Sequence, residues 1–251
     1  MAEPIIQING LRKVYKIGNE KVVALDNIDL TIYKGEICCL LGTSGSGKST
    51  LLNMMAGLEK PTRGSIVMSN AKINEMTEKQ LAVFRQANVG FVFQSYNLLA
   101  TMTALENVSM PLLFTGVGKK ERQKRAKKML KLVGLETHLH HKPSQMSGGQ
   151  QQRVGIARAF VALPTVVFAD EPTGNLDSKT TQEVMALMIS MAREHNQTLV
   201  IVTHDPDIAS YANRVVHILD GHICNIQTNE NPVVPVWPPK VEDQPAPACN
   251  E

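Results

Sequence analysis

No apolar run in this chain of 251 residues approaches the ~20 that a membrane-crossing helix needs. The opening Met1-Ala2-Glu3-Pro4 also lacks the basic and apolar parts of a secretory leader. These absences lead to the expectation of a soluble, cytoplasmic chain, with any membrane attachment supplied by a partner. Strong charge of one sign is missing too. Lys and Arg number 26 against 23 Asp and Glu, and a net of +3 is too small for the basic face that nucleic acid attracts, so no nucleic-acid partner is expected. Cysteine is scarce, with four residues. Cys38 and Cys39 are neighbours in an apolar run, so their side chains point to opposite faces of a strand and core thiols are expected in place of a disulfide framework.

What is present is an ordinary globular balance, 43% hydrophobic and 20% charged, in a chain long enough to bury a core as one domain, with or without an appended lobe. Strand-like runs open it at Ile5 to Val14, Val22 to Tyr33 and Glu36 to Leu41. A helix over Ser49 to Gly57, a strand at Ser65 to Met68, a helix at Thr77 to Gln86 and a strand at Val89 to Gln94 follow. Between Asn97 and Gln145 the pattern turns helical. In Lys119 to Val133, Ala126, Met129, Leu130 and Val133 recur at helical spacing among eight Lys and Arg residues, which reads as the solvated face of an amphipathic helix.

Helices at Val154 to Leu163 and Thr180 to His195 alternate with buried strands at Thr165 to Ala169 and Thr198 to Thr203, implying a parallel sheet covered on both faces. Asp220-Gly221 between two short strand-like runs marks a tight hairpin. From Asn229 the chain is proline-rich and aperiodic, and is expected to be extended or disordered, with no role for Trp237 favoured over a docking role. His138, His140 and His141 lie close together, but no Cys or acid accompanies them at ligand spacing, so a polar loop is the better reading than a metal site.

Two glycine-rich turns carry chemistry. The first, Gly42-Thr43-Ser44-Gly45-Ser46-Gly47-Lys48-Ser49-Thr50, fits G-x-x-x-x-G-K-[ST] and sits between an apolar strand and an apolar helix, the context this phosphate-binding motif requires. Its backbone N–H groups and the helix N-terminus suit phosphate oxygens, Lys48 suits the β- and γ-phosphates, and the Ser49 hydroxyl suits Mg²⁺. A flexible Gly/Ser turn would need neither the lysine at that offset nor the buried strand. Asp170 ends the run Val166-Val167-Phe168-Ala169 and is the expected acidic partner for the metal. Glu171, fixed by the following Pro172, is placed to polarise a water for attack on the γ-phosphate.

The second turn is Met146-Ser147-Gly148-Gly149-Gln150, continuing into Gln151-Gln152-Arg153. It resembles the signature of the ATP-binding-cassette (ABC) ATPases, with Met in place of the usual Leu, a change that keeps an apolar anchor of similar volume. Other positions match that family in order: Tyr15 where an aromatic stacks on adenine, Gln94 at the Q-loop, where it joins Ser49 and Asp170 at the metal, Gly174 to Asp177 at the D-loop, and His204 at the switch histidine. Tyr15 has a bland competitor, a half-buried strand aromatic. The resemblance covers about residues 4 to 227.

The resemblance implies an α/β P-loop NTPase fold of RecA type, with a parallel-sheet core, an N-terminal antiparallel β subdomain and an inserted α-helical subdomain near residues 95–145. It places the ATPase domain at 4–228 and the tail at 229–251. It further implies an ATP hydrolase in which two copies meet head to tail on two ATP molecules, Ser147, Gly148, Gly149 and Gln150 of each completing the site of the other. The glutamate, histidine, lysine and glutamine at 171, 204, 48 and 94 would be catalytic. The subgroup most resembled, lipoprotein-releasing, macrolide-exporting and cell-division ATPases, implies a permease partner on the inner face of the membrane. A soluble ABC ATPase acting on DNA or the ribosome is the alternative, and a small-molecule P-loop kinase a more distant one, needing no signature.

Overall fold

The computed structural model describes residues 3–235, 237 and 238. In chain order the elements are β1 (Pro4–Ile17), β2 (Glu20–Tyr33), β3 (Ile37–Leu41), α1 (Lys48–Met55), β4 (Arg63–Met68), β5 (Ala71–Lys72), α2 (Glu78–Asn88) and β6 (Val89–Phe93). There follow α3 (Ala104–Phe114), α4 (Lys119–Leu132), α5 (Gly148–Phe160), β7 (Val166–Asp170), α6 (Ser178–Glu194), β8 (Thr198–Thr203), α7 (Pro206–Ala209), β9 (Arg214–Leu219) and β10 (His222–Thr228). Among the described residues no helix is long and apolar enough to cross a membrane.

Two sheets result. A four-stranded antiparallel sheet has the order β2-β1-β4-β5, and a six-stranded sheet the order β10-β9-β3-β8-β7-β6. In the larger sheet β9, β3, β8, β7 and β6 run parallel, and β10 closes one edge antiparallel. Every residue of β8 is buried, which is why Leu199 to Val202 read as an unbroken apolar run with no alternation. The register pairs Leu41 with Thr203, Asp170 with Val202 and Phe93 with Asp170, so the carboxyl ends of β3, β8, β7 and β6 fall on one line. Ligands of open parallel sheets bind along such an edge.

The larger sheet separates two cores. Ile37, Cys39, Val167, Ala169, Leu199 and Ile201 face α3, α4, α5 and α6 on one side. Cys38, Leu40, Phe168, Val200 and Val202 face α1 and the antiparallel sheet on the other. Burying each Leu, Ile, Val or Phe of these layers contributes about 1.5–3 kcal/mol. The adjacent cysteines part as expected, one to each core. Burial pushes both thiols up, Cys39 to about 12.

Ala126, Leu130 and Val133 of the α4 stripe are buried in the first core, while the lysines of that helix are exposed. Asp220 and Gly221 both have positive φ, 47° and 78°, the geometry of a two-residue hairpin turn. Trp237 departs from expectation. Its indole packs against the first core and its Nε1–H donates to the Leu132 carbonyl at 3.0 Å. The chain reaches it through bonds from Asn229 N–H to Asn213 O at 2.8 Å and Val233 N–H to Ser210 O at 3.1 Å. An isolated tryptophan among prolines has no periodicity from which such a contact could be read. The expectation for residues 239–251 lies outside the described residues.

Candidate functional site

The loop from β3 to α1 forms a cradle for an anion. Gly47 is left-handed at φ 100°, and a Cβ there would come within 2.6 Å of the Ala24 carbonyl oxygen, so the turn into α1 requires glycine. No side chain caps α1, which leaves its first N–H groups and the positive end of the helix dipole available. Lys48 is only 5% exposed and its ammonium donates to the carbonyls of Gly42 at 2.8 Å and Thr43 at 2.7 Å. The Ser46 hydroxyl is buried without a partner in the same loop, while Thr43, Ser44 and Gly45 are exposed at its rim.

At the head of α1, the Ser49 hydroxyl donates to Oδ1 of Asp170 at 2.9 Å. Burial, followed by the neighbouring Glu171 charge, raises the Asp170 carboxyl above its ordinary range, against the opposing pull of the Ser49 hydroxyl and the Lys48 ammonium. A hydroxyl and a carboxylate so close are two hard oxygen donors, and a divalent cation such as Mg²⁺ suits them and would relieve the crowding of negative charge. Glu171 is itself left-handed, φ 42°, in a region that costs a non-glycine residue about 1–2 kcal/mol. Its N–H bonds to Val202 O at 3.0 Å and its carbonyl accepts from Gly174 N–H at 3.1 Å, which holds the strained turn. The Oε1 atom lies 3.2 Å from Nδ1 of His204, the residue following β8. A cavity of about 560 Å³ is lined jointly by Gly42, Thr43, Ser44, Glu171 and His204.

Gln94 follows β6 on the same edge but is not bonded to Ser49 or Asp170. Its side-chain amide lies against Gly174, where a Cβ would come within 2.7 Å of Nε2, and its backbone carbonyl accepts from Asn175 Nδ2 at 3.1 Å. Tyr15, on β1, donates its hydroxyl to Glu59 Oε2 at 2.7 Å, and Lys13 Nζ stands 5.0 Å from its ring centroid. Burial, then the Glu59 carboxylate, raises the Tyr15 phenol, while the hydroxyl of Thr50 at the start of α1 pulls it down.

The second glycine turn is the first turn of α5. Ser147 is its N-cap: Oγ accepts from Gln150 N–H at 3.3 Å, and Oε1 of Gln150 accepts from Ser147 N–H at 2.9 Å, a reciprocal capping box. Met146 is 8% exposed and anchors the turn in the first core. A Cβ on Gly148 would meet the Tyr96 hydroxyl at 2.8 Å, and one on Gly149 would meet Cγ2 of Thr180 at 2.6 Å, so the helix start is packed closely between Tyr96 and α6. Ser147 is exposed, and none of Ser147, Gly148, Gly149 and Gln150 lines the cavity shared by Gly42, Thr43, Ser44, Glu171 and His204.

Sequence reasoning missed Tyr96, Thr180 and Gln152. Gln152 stands in a polar run that reads as solvent-facing, yet it is fully buried and its amide donates to the carbonyl of Pro172, next to Glu171. No spacing in the sequence announces that contact, because the two residues meet only through packing of α5 on the turn after β7.

Comparison with known proteins adds four findings. A family model described as ABC transporter matches residues 25–174. An ABC transporter ATP-binding protein of Thermotoga maritima is 45% identical over 223 residues, 89% of this chain and 95% of its own length. A protein of Wolinella succinogenes, the macrolide export ATP-binding/permease protein MacB, is 44% identical over 90% of this chain, which spans 35% of it. Among solved structures, the dimeric post-hydrolysis state of the ATP-binding cassette MJ0796 of Methanocaldococcus jannaschii, bound to ADP and Pi, superposes with a TM-score of 0.84 at 42% identity, covering 89% of this chain and 98% of that one.

Proposed function

Since the chain belongs to the ABC transporter family and is an ATP-binding, ATP-hydrolysing cassette, we propose that two copies close head to tail on two ATP molecules and so drive a membrane permease of export type. The observation that carries this reading is the separation of the two glycine turns. Glu171 and His204 share a cavity with Gly42, Thr43 and Ser44 of the first turn, whereas no residue from Ser147 to Gln150 at the start of α5 lines it. One chain therefore offers two halves of different sites.

In this reading Lys48 exchanges its bonds to two neutral carbonyls for stronger, charge-assisted bonds to the β- and γ-phosphates. The uncapped start of α1 takes the remaining phosphate oxygens. Ser49 and Asp170 would hold Mg²⁺, with Gln94 joining them once its amide turns from Gly174, and the ion would neutralise charge on the phosphate oxygens. Glu171 orients and polarises the attacking water, and His204 fixes the Glu171 carboxylate and reaches the γ-phosphate. The Tyr15 ring stacks on the adenine. From the partner, the Ser147 hydroxyl, Gln150, the N–H groups of Gly148 and Gly149 and the α5 dipole cover the γ-phosphate. Hydrolysis splits the γ-phosphoryl group from ADP, and departure of the freed phosphate removes the shared anion and loosens the pair.

We assign the cassette to residues 4–228, with a helical lobe near 95–145 and an appended tail at 229–251. Between α3 and the edge of β6 lies a groove of about 260 Å³ lined by Phe91, Phe93, Met110, Pro111 and Phe114. Phe114 is 60% exposed, and an apolar groove at the lobe suits a short helix of a permease at the inner face of the membrane. The transporter names of the relatives support this reading over an ATPase acting on DNA or ribosomes.

Mixing two inactive variants tests the composite site. Lys48→Ala and Ser147→Arg, each silent alone, form mixed dimers with one intact site, and ATPase activity should rise to about a quarter of wild type for a symmetric pair. A mixture no more active than its components would overturn the proposal.

A further inference from the structure

We propose that His138 is a positioning residue for the half-site that the chain lends its partner: it holds the Gln150 amide in the orientation that caps Ser147, and a proton on its ring undoes that hold. This rests on the reading of Ser147 to Gln150 as that half-site.

The geometry fixes the hydrogens. Oε1 of Gln150 is engaged by the Ser147 N–H at 2.9 Å, so the other end of the amide, Nε2, points away from the cap and lies 3.2 Å from Nε2 of His138. An amide NH₂ only donates, so His138 Nε2 accepts and the ring proton sits on Nδ1. From there it donates to the Thr137 hydroxyl at 3.0 Å. One neutral tautomer satisfies all three contacts. The backbone that carries the ring is fixed by a 3-10 turn at Glu136–His138, through His138 N–H to Leu135 O at 3.0 Å and His141 N–H to His138 O at 3.1 Å.

A second proton reverses the fit. Nε2–H of an imidazolium would face the Gln150 NH₂, two donors against each other. Turning the amide to present Oε1 to the ring withdraws it from Ser147, the residue whose hydroxyl and helix start reach the partner's nucleotide. The groups around the ring leave this choice to it. His141 lies against it, ring centroids 4.9 Å apart. Glu136 in its own turn is paired with Lys131 at 3.3 Å. Helix α5 presents neutral Gln150, and Glu106 of α3 is turned back onto Thr103, with His140 and Lys142 beside it.

The test compares ATP-driven dimerisation in the Glu171→Gln background for His138, His138→Gln and His138→Phe, by sedimentation between about pH 8 and about pH 5, the span in which histidine changes charge. Glutamine offers an accepting oxygen that does not titrate, and phenylalanine offers none. At the alkaline end His138 and His138→Gln should dimerise alike, and His138→Phe should need several-fold more ATP. At the acid end His138 should fall to the level of His138→Phe while His138→Gln holds. Identical behaviour of all three, or a parallel loss in His138→Gln, would overturn the inference and leave the half-site reading standing. No ATP-driven dimer in any of them, with nucleotide still bound, would overturn both.

Discussion

The Glu171 carboxylate stands 3.2 Å from Nδ1 of His204, although the two residues are 33 positions apart in the chain. They meet because β7 and β8 are parallel neighbours in register, Asp170 beside Val202, and each strand ends one residue before the side chain in question. Glu171 reaches this place with a left-handed backbone at φ 42°, so the turn is held against its own preference by the bonds around it.

Replacing Glu171 by Gln keeps the shape and a hydrogen-bond acceptor for His204 but removes the charge. Turnover should fall ~10²- to 10⁴-fold, while nucleotide binding persists and the ATP-bound dimer accumulates. Phosphate release and gel filtration with ATP measure the two effects, and undiminished turnover would remove Glu171 from the role of base.

Gln152→Leu strips the donor from the Pro172 carbonyl in a fully buried setting. The loss should be about 1–3 kcal/mol in denaturant unfolding, and turnover should drop as well, since the affected peptide adjoins Glu171. A variant as stable as the parent would show that this contact does not hold the turn.

The thiols of Cys38 and Cys39 are raised by burial, whereas Cys224 is exposed. An alkylating reagent should modify Cys224 in the native protein and reach Cys38 and Cys39 only on unfolding, as peptide mass spectrometry would record. The sign for stability follows. The folded chain keeps these protons to higher pH than the unfolded one, so above ~8.5 the unfolded state binds fewer protons and stability falls as pH rises. Modification of Cys38 at the native rate of Cys224 would contradict the burial.

Trp237 is the single tryptophan, so emission excited selectively at tryptophan reports on the tail alone. Packed on the first core and bonded to Leu132 O, it should be shielded from acrylamide in the native protein and lose that shielding on unfolding. Quenching equal to that of the unfolded chain would show that the indole does not dock.

Much of the fold was legible because the parallel strands are buried on both faces. Val166 to Ala169 and Leu199 to Val202 are unbroken apolar runs, and the residues that follow them are the polar ones at the sheet edge. The loop from Gly42 to Ser49 was legible for a related reason, since left-handed turns and uncapped helix starts demand particular residues at fixed offsets. Contacts made only by packing were not. The buried Gln152 looks like its neighbours in sequence, and the bond from Gln150 to His138 depends on how a 3-10 turn folds against α5. The Gln94 amide, expected beside Ser49 and Asp170, lies instead against Gly174, a choice of rotamer that no residue type encodes.

The central claim is that Ser147 serves a nucleotide held by another molecule. The most direct measurement adds Ser147→Arg to Glu171→Gln and follows, in one titration with ATP, nucleotide binding by fluorescence and mass by sedimentation. The account predicts that nucleotide still binds to the monomer through Lys48 and its loop while the dimer no longer forms. A dimer of undiminished affinity, or loss of nucleotide binding by the monomer, would contradict it.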